Sequence, residues 1–174
     1  MALEDLSTYT ETDPNARITV TASRVTSTLL TRNEDAYVYK DKGIDYFAGN
    51  FTHELTARIT GGAVDGTMGM VGWAVTNDID DYQGLGTLSK SGLFLIFGRN
   101  LGGTPYFVVT ERDSGTEYQS SSYTGVIDTD YYIKMVRDET VGTYGTIYGY
   151  IYSDIGRATL LATLSVALHT SKKD

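Results

Sequence analysis

The stretch "VTNDIDDYQG" at 75–84 places Asn77, Asp78, Asp80 and Asp81 within five positions. Three chemistries use such a cluster. A retaining glycosidase needs two carboxyl groups about 5–5.5 Å apart, and an inverting one about 6.5–9.5 Å. Strand residues two apart are spaced by about 7 Å, so hydrolysis on a sheet would show as carboxylates alternating along one strand. Asp78 and Asp80 have that spacing, but Asn77 before them and Asp81-Tyr82-Gln83-Gly84 after them mark a loop. Glu54 stands alone between Thr52 and Thr56, and Glu111 with Asp113 runs into the "DSG" turn. No strand-like segment carries the alternation, and the chain is expected not to be an enzyme. The second chemistry is calcium, which takes six to eight oxygens. Asn77, Asp78, Asp80 and Asp81 are candidate ligands for one ion at a strand end, although the D-x-D-x-D-G spacing of an EF-hand is absent. The third reading is a polar turn whose side chains cap their own backbone.

Nucleophilic and thiolate chemistry find little support. The chain has no cysteine, which excludes disulfides and thiolate metal sites. His53 and His169 lie outside any G-x-S-x-G context. His53 falls on the apolar side of an alternating segment and reads as a hydrogen-bonded core or boundary histidine. His169, near the end, reads as solvated.

The tyrosines offer a different chemistry. In "TIYGYIYSD", Tyr148, Tyr150 and Tyr152 alternate with Ile147, Gly149 and Ile151. With the isoleucines buried, the tyrosines form an outward platform with rings about 7 Å apart. Such a row can stack on the C–H face of a sugar while neighbouring amides and carboxylates fix its hydroxyls. Tyr37 and Tyr39 make a smaller version of the same pattern. The same tyrosines could also serve as cross-strand pairs supporting a sheet, or as an interface between subunits. Trp73, the single tryptophan, shares a face with Val71 and Val75 and is expected in the core.

The elements that must position these residues are strands. Nineteen glycines, two prolines and fourteen tyrosines favour β structure. "FTHELTARIT" at 51–60 places Phe51, His53, Leu55, Ala57 and Ile59 on one face and polar residues on the other. "LFLIF" at 93–97 is apolar throughout and suits a central strand. Segments 17–22, 24–30, 36–40, 70–75, 106–111, 131–137 and 146–153 continue the series. "LLATLSVAL" at 160–168, which could form a short helix, is placed with the strands for its β-branched content. Turn signals separate them at 60–67, 112–116 and 137–145. About ten short strands at this spacing predict one all-β domain over 1–174, a two-sheet antiparallel β-sandwich.

Charge and hydropathy narrow the partners. Fourteen basic and 22 acidic residues give a net charge of −8, which repels phosphate backbones and argues against nucleic acid. The start "MALEDLSTYTETDPN" lacks the apolar segment of a signal peptide. The longest apolar run, 92–98, is far short of the roughly 20 residues of a membrane span, so no membrane insertion is expected.

The ordered pieces "NEDAYVYKDKG", "FAGNFTHELTARIT", "GWAVTNDIDDYQGL" and "YYIKMVRDETVGTYGTIYGYIYSDIGRATLLATLS" resemble the concanavalin A-like lectin/glucanase superfamily, in its laminin-G-like form. That resemblance covers nearly the whole chain. It implies a jelly-roll sandwich of the kind found in phage and metagenomic surface proteins, located on a virion surface or outside the cell. The implied function is a carbohydrate- or surface-binding module. A self-assembling capsid decoration or filament subunit, or a divergent glycoside hydrolase, are the alternatives. Laminin-G-like relatives often hold calcium at the sandwich rim, which for this chain would involve Asn77, Asp78, Asp80 and Asp81. They also carry a further strand after the one matching "TLS". Its absence here would leave a sheet edge available for self-association.

Overall fold

In the computed structural model, residues 3–28, 30–31, 34–61 and 69–169 are described. The N-terminal part holds a short 3-10 turn at Leu6–Thr8 and strands β1 (Thr10–Thr12), β2 (Ile18–Thr21), β3 (Arg24–Ser27) and β4 (Tyr37–Tyr39). Strands β1 and β4 pair with each other, as do β2 and β3, and neither pair joins a larger sheet. The remaining strands are β5 (Phe51–Arg58), β6 (Gly69–Thr76), β7 (Gly92–Arg99), β8 (Pro105–Asp113), β9 (Thr116–Gln119), β10 (Tyr123–Thr124), β11 (Asp130–Asp138), β12 (Thr146–Tyr152) and β13 (Leu160–Ala167). One helix, α1 (Tyr82–Thr87), lies between β6 and β7.

Two antiparallel sheets face each other. The first runs β10-β8-β7-β6, with β9 continuing beside β8 along the same edge as β10. The second runs β13-β12-β11-β5. The molecule is an all-β, two-sheet antiparallel sandwich. Segment 93–97 is central, as its apolar character on both faces requires, and "LLATLSVAL" is a strand. Much of the expected turn at 60–67 lies outside the described residues.

Period-two alternation builds the core directly. Leu93, Leu95 and Phe97 of β7, Phe107 and Val109 of β8, and Ile133 and Met135 of β11 meet between the sheets. Ile147 and Ile151 of β12 and Leu164 and Val166 of β13 complete that layer. Gly149 packs closely on the other sheet: a Cβ there would lie 2.7 Å from Val109 Cγ2, so a larger residue requires Val109 or the strand to shift. Trp73 packs against the core from β6, half-buried, and its Nε1–H donates to His53 Nδ1 at 2.9 Å.

Helix α1, a segment read from the sequence as loop, packs on the outer face of the first sheet at Phe94 and Arg112. Asp81 accepts the Gly84 N–H as the helix cap, Leu85 is buried, and Tyr82 packs edge-on against Phe94 at 4.9 Å. Arg112 lies 3.9 Å over the Tyr82 ring, its guanidinium bonded to Tyr82 O and Glu117. A six-residue helix containing two glycines has too little length to show a 3.6-residue period, which is why the sequence pattern misses it.

Candidate functional site

The outer face of the second sheet is built by β11 and β12. Burial of Ile147 and Ile151 turns Tyr148, Tyr150 and Tyr152 outward, as alternation requires. The rings of Tyr148 and Tyr150 are near-parallel, 5.7 Å apart with an interplanar angle of 18°. Strand β11 adds a fourth ring: Tyr131, Ile133 and Met135 are buried, so Tyr132, Lys134 and Val136 share the outer face, with Tyr132 opposite Tyr152. The sequence reading passed over Tyr132, although "YYIKMVR" carries the alternation that places it. Thr52, Glu54 and Thr56 of β5 lie opposite Val136, Lys134 and Tyr132. Ser165 and Thr163 of β13 lie opposite Tyr148 and Tyr150. The face is therefore an aromatic row flanked by hydroxyls and charges. Strand β12 contacts its sheet neighbours β11 and β13 and, through the core, β8.

The rim of this face is shaped by the β12–β13 loop. Asp154 accepts the backbone N–H groups of Ala158 and Thr159, at 3.1 and 2.7 Å, and those bonds hold its carboxyl below the usual range. Arg157, from the same loop, reaches Glu54 at 3.1 Å. Burial, and then the neighbouring Tyr148, Tyr152 and Asp138, push the Tyr150 hydroxyl above its ordinary value. It stays protonated at neutral pH and can donate as well as accept. Such a surface can stack flat apolar faces and bond hydroxyls.

Tyr37 and Tyr39 do not join this row. They lie on β4, in the small sheet with β1, with ring centroids 6.2 Å apart.

The acidic stretch is distributed among structural tasks. Asn77 Oδ1 accepts the Ser91 N–H at 2.9 Å. Asp78 pairs with Lys90 at 2.6 Å, and that ammonium, with the Ile79 N–H, holds its carboxyl below the usual range. Asp80 accepts the Asp81 N–H, and Asp81 caps α1. Asp35 reaches the same place from the N-terminal part, where its hydrogen bond to Asp81 and the charge beside it push its carboxyl up. Nothing in the sequence joins Asp35 to residues more than forty positions away. Among the described residues, no three His, Asp or Glu side chains are grouped to hold a metal ion.

A second polar cluster joins β8 to the residues after β13. Glu111, at the end of the strand expected over 106–111, lies within β8 and is 2% exposed. It accepts the His169 backbone N–H at 2.9 Å and contacts His169 Nδ1 at 2.8 Å. His169 is not merely solvated: its ring stacks on Tyr118 at 3.5 Å. His53 sits where the pattern placed it, half-buried at the boundary, and burial holds its imidazole pKa below the usual value.

No protein-family model, curated protein or solved structure matches the chain.

Proposed function

We propose that this protein is a non-catalytic carbohydrate-binding module and that Tyr148, Tyr150, Tyr152 and Tyr132 form its binding face. The observation that carries this reading is the row of half-buried aromatic rings on a sheet face bordered by Thr52, Thr56, Thr163, Ser165 and Glu54. Aromatic rings supply stacking area at low conformational cost, and the bordering groups supply directed hydrogen bonds. The resemblance of the sequence pieces to concanavalin A-like domains supports the same reading, and a virion surface or another extracellular structure is the location proposed with it. A glycan array with the wild-type chain and Tyr150→Ala tests it. We expect binding to at least one glycan class, weakened about tenfold or more by the substitution, with the circular dichroism spectrum unchanged. Absence of binding across the array would sink the proposal. Release of reducing sugar from a polysaccharide panel would overturn its non-catalytic part.

A second reading, self-assembly, is favoured by the opposite side of the sandwich. Among the described residues, strands β5 and β6 each pair with a single neighbour in their sheets, and half-buried Leu55, Ile59, Val71 and Trp73 lie along that side. Unpaired edges of this kind accept a strand from another copy. Light scattering across a concentration series tests it, and a monomeric mass throughout would exclude it.

A further inference from the structure

Lys134 stands on the tyrosine face and makes no ion pair among the described residues. Its cross-strand neighbours are Tyr150 on one side and Glu54 on the other. Register alone would pair Lys134 with Glu54, since opposite charges directly across a ladder attract. Glu54 instead pairs with Arg157 from the β12–β13 loop. Of the described lysines, Lys40 and Lys42 pair with Glu4 and Lys90 with Asp78, while Lys134 makes no ion pair among the described residues. A half-buried lysine beside Tyr150 and Tyr132, in a chain of net charge −8, thus has no ion-pair partner among the described residues and is open to an anion from outside the chain.

Resting on the reading of this face as glycan-binding, we propose that Lys134 recognises an anionic substituent, a uronate carboxylate or a sulfate ester, on a sugar stacked at Tyr150. The ligand class is then an acidic glycan. Its charge is also sparse. Asp130 and Asp138 occupy the two ends of the same face of β11, four residues from Lys134 on either side, or about 13 Å along the strand. Asp130 is paired with Arg58 at 3.7 Å, so a polymer charged at every sugar would bring a like charge chiefly toward Asp138, whereas one with isolated charges can place a single anion at Lys134. Screening at physiological salt confines the chain's overall repulsion to about 8 Å, so the local ammonium decides the contact.

Calorimetric titration with matched oligosaccharides tests this. Glucuronoxylan fragments are compared with their carboxyl-reduced forms, κ-carrageenan fragments with their desulfated forms, and polygalacturonate serves as the densely charged case. We expect at least one sparsely charged form to bind about tenfold more tightly than its neutral counterpart, through a charge-assisted hydrogen bond. The preference should shrink at high salt. Lys134→Met should erase the preference for the charged form, and Tyr150→Ala should weaken binding of both forms. Which pair shows the preference separates carboxylate from sulfate. Equal binding of charged and neutral forms overturns the role of Lys134 and leaves the tyrosine face standing, as does a preference that survives Lys134→Met. Tighter binding of polygalacturonate overturns the sparse-charge requirement. Failure of every glycan, charged or neutral, overturns the binding face itself.

Discussion

His53 and Trp73 share the hydrogen bond that joins β5 to β6, and it exists only while His53 Nδ1 is unprotonated. Burial lowers the imidazole pKa in the folded chain, so this contribution is fully present above the ordinary value near 6.5 and is lost as pH falls through the lower folded value. Trp73 is the sole tryptophan, and its fluorescence should therefore change on acidification with a midpoint below about 6.5. His53→Gln should abolish that transition, and a flat profile in the wild type would remove the assigned bond. Glu111 makes a second residue-scale expectation. Glu111→Ala leaves the His169 N–H and ring without their acceptor and should cost about 1–3 kcal/mol. His169→Ala keeps the backbone bond and should cost less; urea melts giving the reverse order would refute the assignment.

At the scale of elements, α1 depends on its cap. Asp81→Ala removes the acceptor for the Gly84 N–H and should cost about 1 kcal/mol in thermal unfolding. A neutral result would mean that packing of Leu85 and Tyr82 on the sheet holds the helix without its cap. The neighbouring rim also bears on calcium. Because Asn77 and Asp78 are already engaged by Ser91 and Lys90, a chelator should leave the melting temperature unchanged, and a shift of several degrees would restore an ion to this loop. The strands themselves were readable as alternation, down to the outward turn of Tyr148, Tyr150 and Tyr152. The helix α1 and the short strands β1, β9 and β10 were not. "TEYQ" and "YT" are too brief to show a period, and their strand character comes from pairing with β8.

For the whole molecule, burial begins late in the chain. No described residue before Ala57 is buried, and the two N-terminal strand pairs remain separate from both large sheets. Removal of residues 1–45 should therefore leave a cooperatively unfolding sandwich with a melting temperature within a few degrees of the intact chain. Loss of the cooperative transition would show that these strands contribute to the core. That truncation spares Phe47, whose ring packs 5.1 Å from His53 and whose carbonyl accepts from buried Arg137.

Fold class, the strand series and the inward or outward sense of most side chains follow from local pattern, because a period of two fixes the face of each residue once one face is apolar. Partnership does not follow from local pattern. Glu54 pairing with Arg157 rather than Lys134, Glu111 meeting His169, and Asp35 meeting Asp81 each join residues distant in sequence. Such contacts depend on which strands become neighbours and how loops cross them. The acidic stretch shows the difference most clearly: composition offered an ion site or an active site, and folding assigned its carboxylates to a lysine, a backbone N–H and a helix cap.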